Sequence, residues 1–338
     1  MFRIGIFVSL AFLTSCSTIA QSLREPSSVP SLANLELHTV PVPYGDKFLN
    51  VRVGIQNPTG TPIADILYIH GFGDRLDNHQ PLFRTWAQAG FRVIAFDLPG
   101  HGENSGAYNE LKNFSFRDLS NLSGKIEQDS KPEKSRPLIL SGWSTGGHIV
   151  VRTIQQNWTS EFSRPISGAI LFAPGISVRK DPLTFGDGKG NVTNASLTHD
   201  PHPPHLGSIK PDSPFWNKSV LIFTIKLLEE SVASFLTSYP LDIPTLIFTG
   251  GETEDRYVNE NKIHEWVTTQ NLSRSLSNHV PIANVSCPHA MHELDNELAS
   301  YGAEEVRHIA ASFAVAIVSE KSSEFSRDFS TYEKICSH

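Results

Sequence analysis

The sequence predicts an α/β fold, with a mostly parallel central sheet and helices on both faces. Three observations lead there. Short apolar runs that read as buried strands alternate with stretches of helical spacing along most of the chain. Several of these runs end in clusters of Gly, Pro, Asp and His, the turn chemistry expected along the C-terminal edge of such a sheet. One run, Leu138-Ile139-Leu140-Ser141-Gly142-Trp143-Ser144-Thr145-Gly146-Gly147, sets a serine between strand and helix inside Gly-x-Ser-x-Gly.

Residues 35–42 and 48–55 alternate apolar and polar side chains and predict two antiparallel strands. Residues 63–69 form a more apolar strand that runs into His70-Gly71-Phe72-Gly73-Asp74. Helical spacing follows over 78–89 through Leu82, Phe83, Trp86 and Ala87, and Gly90 stops it. Residues 91–96 predict a buried strand ending in Asp97-Leu98-Pro99-Gly100-His101-Gly102. A polar helix is expected over 115–128, a strand over 137–142, a helix over 145–158 and a strand over 166–172. The alternation then breaks. Residues 177–240 are rich in Pro, Asp, Gly and His around one apolar helical stretch over 220–235, and such an insertion after a strand end reads as a cap or lid. The rhythm returns with a strand over 244–249 entering Gly250-Gly251-Glu252-Thr253-Glu254-Asp255, then a helix over 262–269. A last strand is expected over 280–287, followed by Pro288-His289-Ala290-Met291-His292-Glu293. One long amphipathic helix over 294–318 and a weakly patterned polar tail over 319–338 complete the chain.

The chain has 338 residues, 39% hydrophobic and 19% charged, with a net charge of −7. That suits a globular core and offers no basic field to hold nucleic acid. Cys16, Cys287 and Cys336 are too few for a disulfide-dense scaffold. Whether Cys287 and Cys336 pair is left open by their spacing. Arg3 precedes an apolar run over 4–13 that is short for a membrane span and suits a signal-peptide core. Leu13-Thr14-Ser15-Cys16 then resembles the lipobox of bacterial lipoproteins. The resemblance implies cleavage before Cys16 and a diacylglycerol thioether on it. With Ser17 in place of an inner-membrane retention aspartate, an outer-membrane address on the periplasmic side is expected if the source is Gram-negative. The competing reading is an ordinary secretory signal cleaved near Ala20. The organisation expected is a signal segment over 1–15, a flexible tether over 16–34, core over 35–176, cap over 177–240, core over 241–318 and tail over 319–338.

Ser144, the acidic loop at 252–255 and the histidine loop at 289–292 each follow the C-terminal end of a predicted strand, so one sheet edge can bring them together. A serine hydroxyl needs a histidine to take its proton and a carboxylate to orient and stabilise that histidine. His70-Gly71-Phe72-Gly73, Asp97 to Gly102, Gly142-Trp143-Ser144-Thr145-Gly146-Gly147 and His292-Glu293-Leu294-Asp295-Asn296-Glu297 resemble α/β-hydrolases of the monoacylglycerol lipase, lysophospholipase and serine aminopeptidase-like group, over residues 40–318. The resemblance implies an α/β-hydrolase fold. It also implies Ser144 as nucleophile, Asp255 as acid, His292 as base, and an oxyanion hole from the N–H groups of Phe72 and Thr145.

The acid loop is longer and more acidic than the group's usual form, so Glu252 and Glu254 stay open as alternatives to Asp255, and His289 as an alternative to His292. Asp97 and His101 read as loop-shaping residues. His199-Asp200-Pro201-His202-Pro203-Pro204-His205 has the residue types of a metal site but no regular face to present them, so no metal is assigned. The expected chemistry is ester hydrolysis through an acyl-enzyme, with no metal or organic cofactor. The expected substrate is a single-acyl-chain lipid, either a lysophospholipid or a monoacylglycerol. A serine aminopeptidase-like activity, or a non-catalytic binding protein on the same fold, is the alternative. The membrane, through the lipid anchor, is the expected partner, and the sequence carries no sign of oligomeric state.

Overall fold

The computed structural model describes residues 35–44, 46–106, 113–179, 194–201, 216–237, 241–276, 279–328, 333–334 and 336. Cys16, the signal segment and the tether lie outside these residues, as do His202 and His205. In chain order the elements are β1 (Glu36–Tyr44), β2 (Lys47–Gln56), β3 (Ala64–Ile69), α1 (Gln80–Gln88), β4 (Phe91–Phe96), α2 (Phe116–Asp129), β5 (Leu138–Trp143), α3 (Thr145–Gln155) and β6 (Ile166–Phe172). They continue with α4 (Asn194–Leu197), α5 (Trp216–Leu236), β7 (Thr245–Thr249), α6 (Glu260–Leu276), β8 (Ala283–Ser286), α7 (Ala303–Val318), α8 (Ser322–Asp328) and β9 (Glu333–Lys334).

These strands form one sheet in the order β1-β2-β4-β3-β5-β6-β7-β8-β9. β1 and β2 pair antiparallel, β2 joins β4 antiparallel, and the pairs from β4 to β9 are parallel. The central strands β3, β5 and β7 are buried along their whole length, as their unbroken apolar runs require when helices cover both faces. The α/β-hydrolase architecture expected from the sequence is therefore the one observed.

One buried carboxylate ties the N-terminal ends of these strands together, at the edge away from Ser144. Asp65, at the start of β3, accepts from Arg92 of β4 at 2.8 Å, from Arg136 before β5 at 3.0 Å and from Arg164 before β6 at 2.5 Å. Burial raises the pKa of Asp65, but the hydrogen bonds and charges of Arg92 and Arg164 outweigh it and hold the carboxyl below its ordinary value.

The structure departs from the sequence reading in three places. The helix expected over 294–318 is broken: only short 3₁₀ turns occupy Leu294–Asn296 and Ala299–Tyr301, and the α-helix starts at Ala303. Gly302 sits at φ 93°, a left-handed conformation that ends any continuous helix. Asp295, Asn296 and Glu297 also spend their side chains on other segments. The strand expected from Val280 begins at Ala283 because Asn271 of α6 takes both the N–H and the C=O of Ile282. The stretch read as a weakly patterned tail carries α8 and β9, and Cys336 is joined to Cys287 in a disulfide.

Replacing Asp65 by Asn should cost about 3 kcal/mol of stability at pH 7, because it removes the carboxylate that three largely buried guanidinium groups share, leaving Arg164 with Glu127 and Arg136 with Glu133. Asp65 has a depressed folded-state pKa, so its contribution is present above the ordinary carboxylate range and is lost as pH falls through the folded value. Urea denaturation of parent and Asp65→Asn protein should accordingly show a gap at neutral pH that narrows on acidification below about pH 4.

Candidate active site

Ser144 occupies the single residue between β5 and α3 with φ 53° and ψ −117°. A non-glycine residue there costs of order 1–3 kcal/mol and persists only where the surroundings dictate it. They do so by contact. A Cβ on Gly142 would come within 2.5 Å of the Gly146 carbonyl carbon, and one on Gly146 within 1.9 Å of the Ile69 carbonyl oxygen. The turn is also tied to the end of β6, where Ser144 donates its N–H to Phe172 at 2.9 Å and accepts from Gly175 at 2.8 Å. The serine side chain is thereby pushed out at the C-terminal edge of the sheet, half-buried.

His292 meets it there. Ser144 Oγ lies 2.8 Å from His292 Nε2, and His292 Nδ1 lies 2.9 Å from Asp255 Oδ2. With Nδ1–H donating to the carboxylate, Nε2 is left as the acceptor for the serine hydroxyl, the tautomer that general-base catalysis needs. Asp255 Oδ1 takes the N–H groups of Tyr257 at 2.8 Å and Val258 at 3.0 Å, so both carboxylate oxygens are fixed. Trp143, beside the serine, donates its indole N–H to the His292 carbonyl at 2.9 Å and so ties the nucleophile turn to the histidine loop. The alternatives separate: His289 is exposed. Glu252 receives the N–H of Asn261 at 3.2 Å and faces Arg179 at 3.5 Å, while Glu254 lies against Thr253.

Phe72 and Thr145 flank this serine. A Cβ on Gly71 would meet the Trp143 ring at 2.5 Å and Ser144 Cβ at 3.1 Å, so the backbone entering Phe72 runs hard against the nucleophile turn. Thr145 is the first residue of α3, where an N–H has no carbonyl one turn back to bond. Asp97 and His101 shape the neighbouring loop, as read: Asp97 accepts from the N–H groups of Leu76 at 2.9 Å and Glu103 at 3.0 Å, and His101 Nδ1 bonds the Pro99 carbonyl at 3.0 Å. His70 accepts the Leu98 N–H on Nε2 and donates from Nδ1 to the Gly71 carbonyl. That pattern needs a neutral ring, and burial pulls its pKa down to about 4.

Behind the serine turn lies a charged group that sequence reasoning missed. His79 is fully buried between Asp295 Oδ2 at 2.8 Å and Asp74 Oδ2 at 2.7 Å. Burial opposes its charge, yet the two carboxylates outweigh burial and hold its pKa well above the ordinary value. It therefore stays an imidazolium and joins the loop after β3 to the loop that carries His292. Tyr257, Arg179 and Glu297 were also missed. Arg179 donates to the carbonyls of Asp255 at 2.7 Å and Val258 at 3.0 Å and reaches that of Glu252. His199, read as a possible metal ligand, pairs with Glu297 at 3.1 Å and stacks on Tyr301. Among the described residues no group of three or more His, Cys, Asp or Glu side chains could hold a metal ion, and no helix is long and apolar enough to cross a membrane.

Comparison with known proteins places the chain in a family and a fold. A family profile described as serine aminopeptidase, S33, matches residues 60–299. Phospholipase YtpA of Bacillus subtilis is 25% identical over 222 residues, 61% of this chain and 81% of that protein. Human monoglyceride lipase is 28% identical over 127 residues, 38% of this chain and 40% of the lipase. Among solved structures, a soluble variant of monoglyceride lipase from Saccharomyces cerevisiae superposes with a TM-score of 0.57 at 19% identity, covering 86% of this chain and 97% of that one. The monoacylglycerol lipase of Paleococcus ferrophilus gives 0.56 at 18% identity, covering 80% and 98%. At such identity the two structures establish the shared fold.

The placement of Asp255 generates a direct test. Asp255→Asn should slow fluorophosphonate labelling of Ser144 by on the order of 10⁴-fold, since an amide neither holds the required tautomer nor stabilises the imidazolium. Glu252→Gln and Glu254→Gln should label within a few-fold of the parent. A crippled Glu252→Gln beside a mild Asp255→Asn would transfer the acid role.

Proposed function

This chain belongs to the serine aminopeptidase, S33 family and is a serine hydrolase of the α/β-hydrolase type, and from that premise we propose that it cleaves carboxylic esters of single-acyl-chain lipids through an acyl-enzyme. The observation that carries the reading is the bonded chain from Ser144 Oγ through His292 to Asp255 at the tip of a strained turn. Ser144 Oγ attacks the acyl carbonyl while His292 Nε2 takes its proton, and Asp255 holds the imidazolium that results. The N–H groups of Thr145 and Phe72 stabilise the oxyanion of the tetrahedral intermediate. The intermediate collapses as His292 gives that proton to the leaving alcohol, and the acyl group remains on Ser144. Water then enters, gives a proton to His292 and attacks the acyl carbon, and the free acid leaves as Ser144 recovers its proton.

Two features support a lipid-like acyl group. The relatives include proteins named phospholipase and monoglyceride lipase. The cap also presents an apolar roof, with Phe223 of α5 stacked on Phe72 at 5.5 Å and on Phe116 at 6.2 Å. The second reading, an aminopeptidase, is favoured by the family's own description. It requires a carboxylate to hold a free amino terminus; of the two described acids of the cap helix, Glu230 is bonded to Arg152 at 2.6 Å and Glu229 is exposed. Location belongs to the same proposal. A lipidated Cys16 would keep the domain at the surface of the outer membrane, where single-chain lipids are met.

Ser144→Ala should lower turnover by on the order of a million-fold while the protein stays folded. A panel of lysophospholipids, monoacylglycerols, short esters and aminoacyl amides should give the highest kcat/KM on one of the first two. Preference for aminoacyl amides would move the assignment to the peptidase reading, and near-parent turnover by Ser144→Ala would remove the mechanism.

Intact-mass analysis of the membrane fraction should find acyl chains on Cys16, and Cys16→Ser should abolish them. A mature N-terminus without lipid beginning near Gln21 would sink the anchor.

A further inference from the structure

The described part of the cap just after residue 193 is bonded to both loops that carry the triad. On the acid side, Ser196 Oγ lies 2.6 Å from the hydroxyl of Tyr257. On the histidine side, the Leu197 carbonyl accepts from the Glu293 N–H at 2.9 Å. Glu297 receives the Thr198 hydroxyl at 3.1 Å and the His199 N–H at 2.8 Å on one oxygen, and the Met291 N–H at 2.7 Å on the other. All of these groups are buried or nearly so.

Tyr257 is where this network touches the chemistry. Its N–H bonds Asp255 Oδ1, and its ring lies 4.8 Å from that of His292. The Trp143 ring lies 5.1 Å from the same imidazole. Rotation of the His292 ring about its own bonds is thus resisted by two aromatic neighbours. Trp143 is fixed by its bond to the His292 carbonyl. Tyr257 is held in part through its hydroxyl, and a partner of that hydroxyl, Ser196, belongs to the cap. A general base must hold its orientation to within about 10–20° to work. The orientation of one of its two aromatic neighbours therefore depends on a residue inserted between β6 and β7, outside the sheet that supplies Ser144.

We propose that Ser196 and Tyr257 are positioning residues for His292, and that the hydrogen bond between their side chains is how the cap sets the alignment of the base with Ser144. The proposal rests on the triad reading above and adds to it a dependence of turnover on the cap that does not pass through substrate contact. A bond of this kind acts on the transition state and leaves ground-state binding alone, so its loss appears in kcat and spares KM.

The experiment uses the full chain and a water-soluble short-chain ester, with melting temperature and circular dichroism read on every variant. Tyr257→Phe and Ser196→Ala should each lower kcat about tenfold with KM within twofold of the parent. The double variant should lose no more than the worse single one, because both remove the same bond. Ser196→Thr, which keeps a hydroxyl, should restore most of kcat. If Tyr257→Phe fails to fold, the Ser196→Ala and Ser196→Thr pair decides alone. The proposal is overturned by a kcat within twofold of the parent in Ser196→Ala, by multiplicative losses in the double variant, or by a change confined to KM. Ser144→Ala, run in parallel, separates the two levels: an inactive Ser144→Ala beside an unaffected Ser196→Ala removes the cap's role and leaves the triad standing.

Discussion

The site is built on how closely backbone may approach backbone where β5 meets α3. Gly142 and Gly146 bring the arms of that turn together, and Gly146 packs against the end of β3 at a distance no Cβ would survive. Ser144 pays for this with a backbone conformation that L-residues avoid. In return its hydroxyl stands at the sheet edge, 2.8 Å from His292 Nε2. The bonds from Ser144 to Phe172 and Gly175 spread that strain into β6. Asp65 holds the opposite edge by drawing Arg92 of β4 and Arg136 and Arg164, from just before β5 and β6, onto one carboxylate.

Buried histidines in this molecule show how environment decides charge. His70 and His79 are both fully buried and stand nine positions apart. His70 faces a backbone N–H and a carbonyl, and burial leaves it neutral. His79 faces two carboxylates and stays charged. His148, in the first turns of α3, takes the neutral course, pulled by burial to about 3, with Nε2 bonded to the hydroxyl of Ser234 in the cap helix. A neutral His79 would leave Asp74 and Asp295 with two buried negative charges behind Trp143, the residue that holds His292. The electrostatics of the loop carrying the base are thus set one layer below it.

The sheet, the alternation of strands and helices, and Ser144 were legible in the sequence from local signals, whereas Asp255 and His292 came from the family resemblance, with Glu252, Glu254 and His289 open beside them. Apolar runs, glycine spacing and loops at strand ends all fall within a few residues. What was not legible is made of long-range partners. His79 meets Asp295 across 216 positions, and Arg179 meets Asp255 across 76. Nothing near either residue announces the other. The misread helix after Leu294 has the same origin. Its spacing suits a helix, but Asp295, Asn296 and Glu297 are bonded to the loop before α1, to the start of the histidine loop and to the cap. Ser144 and His292 also meet across 148 positions, and there the motifs around each residue supplied what distance along the chain hides.

The disulfide ties the root of the histidine loop to the last described part of the chain. Cys287 closes β8 and opens the loop that leads to His292, and its partner stands 49 residues further on. Strands β1 to β8 and the whole bonded chain from Ser144 to His292 are synthesised before Cys336 exists. Until then the outer edge of β8 has no strand beside it, and a thiol sits at the root of the histidine loop. The last edge of the sheet and the covalent tie beneath that loop both come from residues that follow, in the chain, everything they support. A chain released early would carry every group the chemistry uses and still lack the bond that ties down the base of the loop holding its histidine.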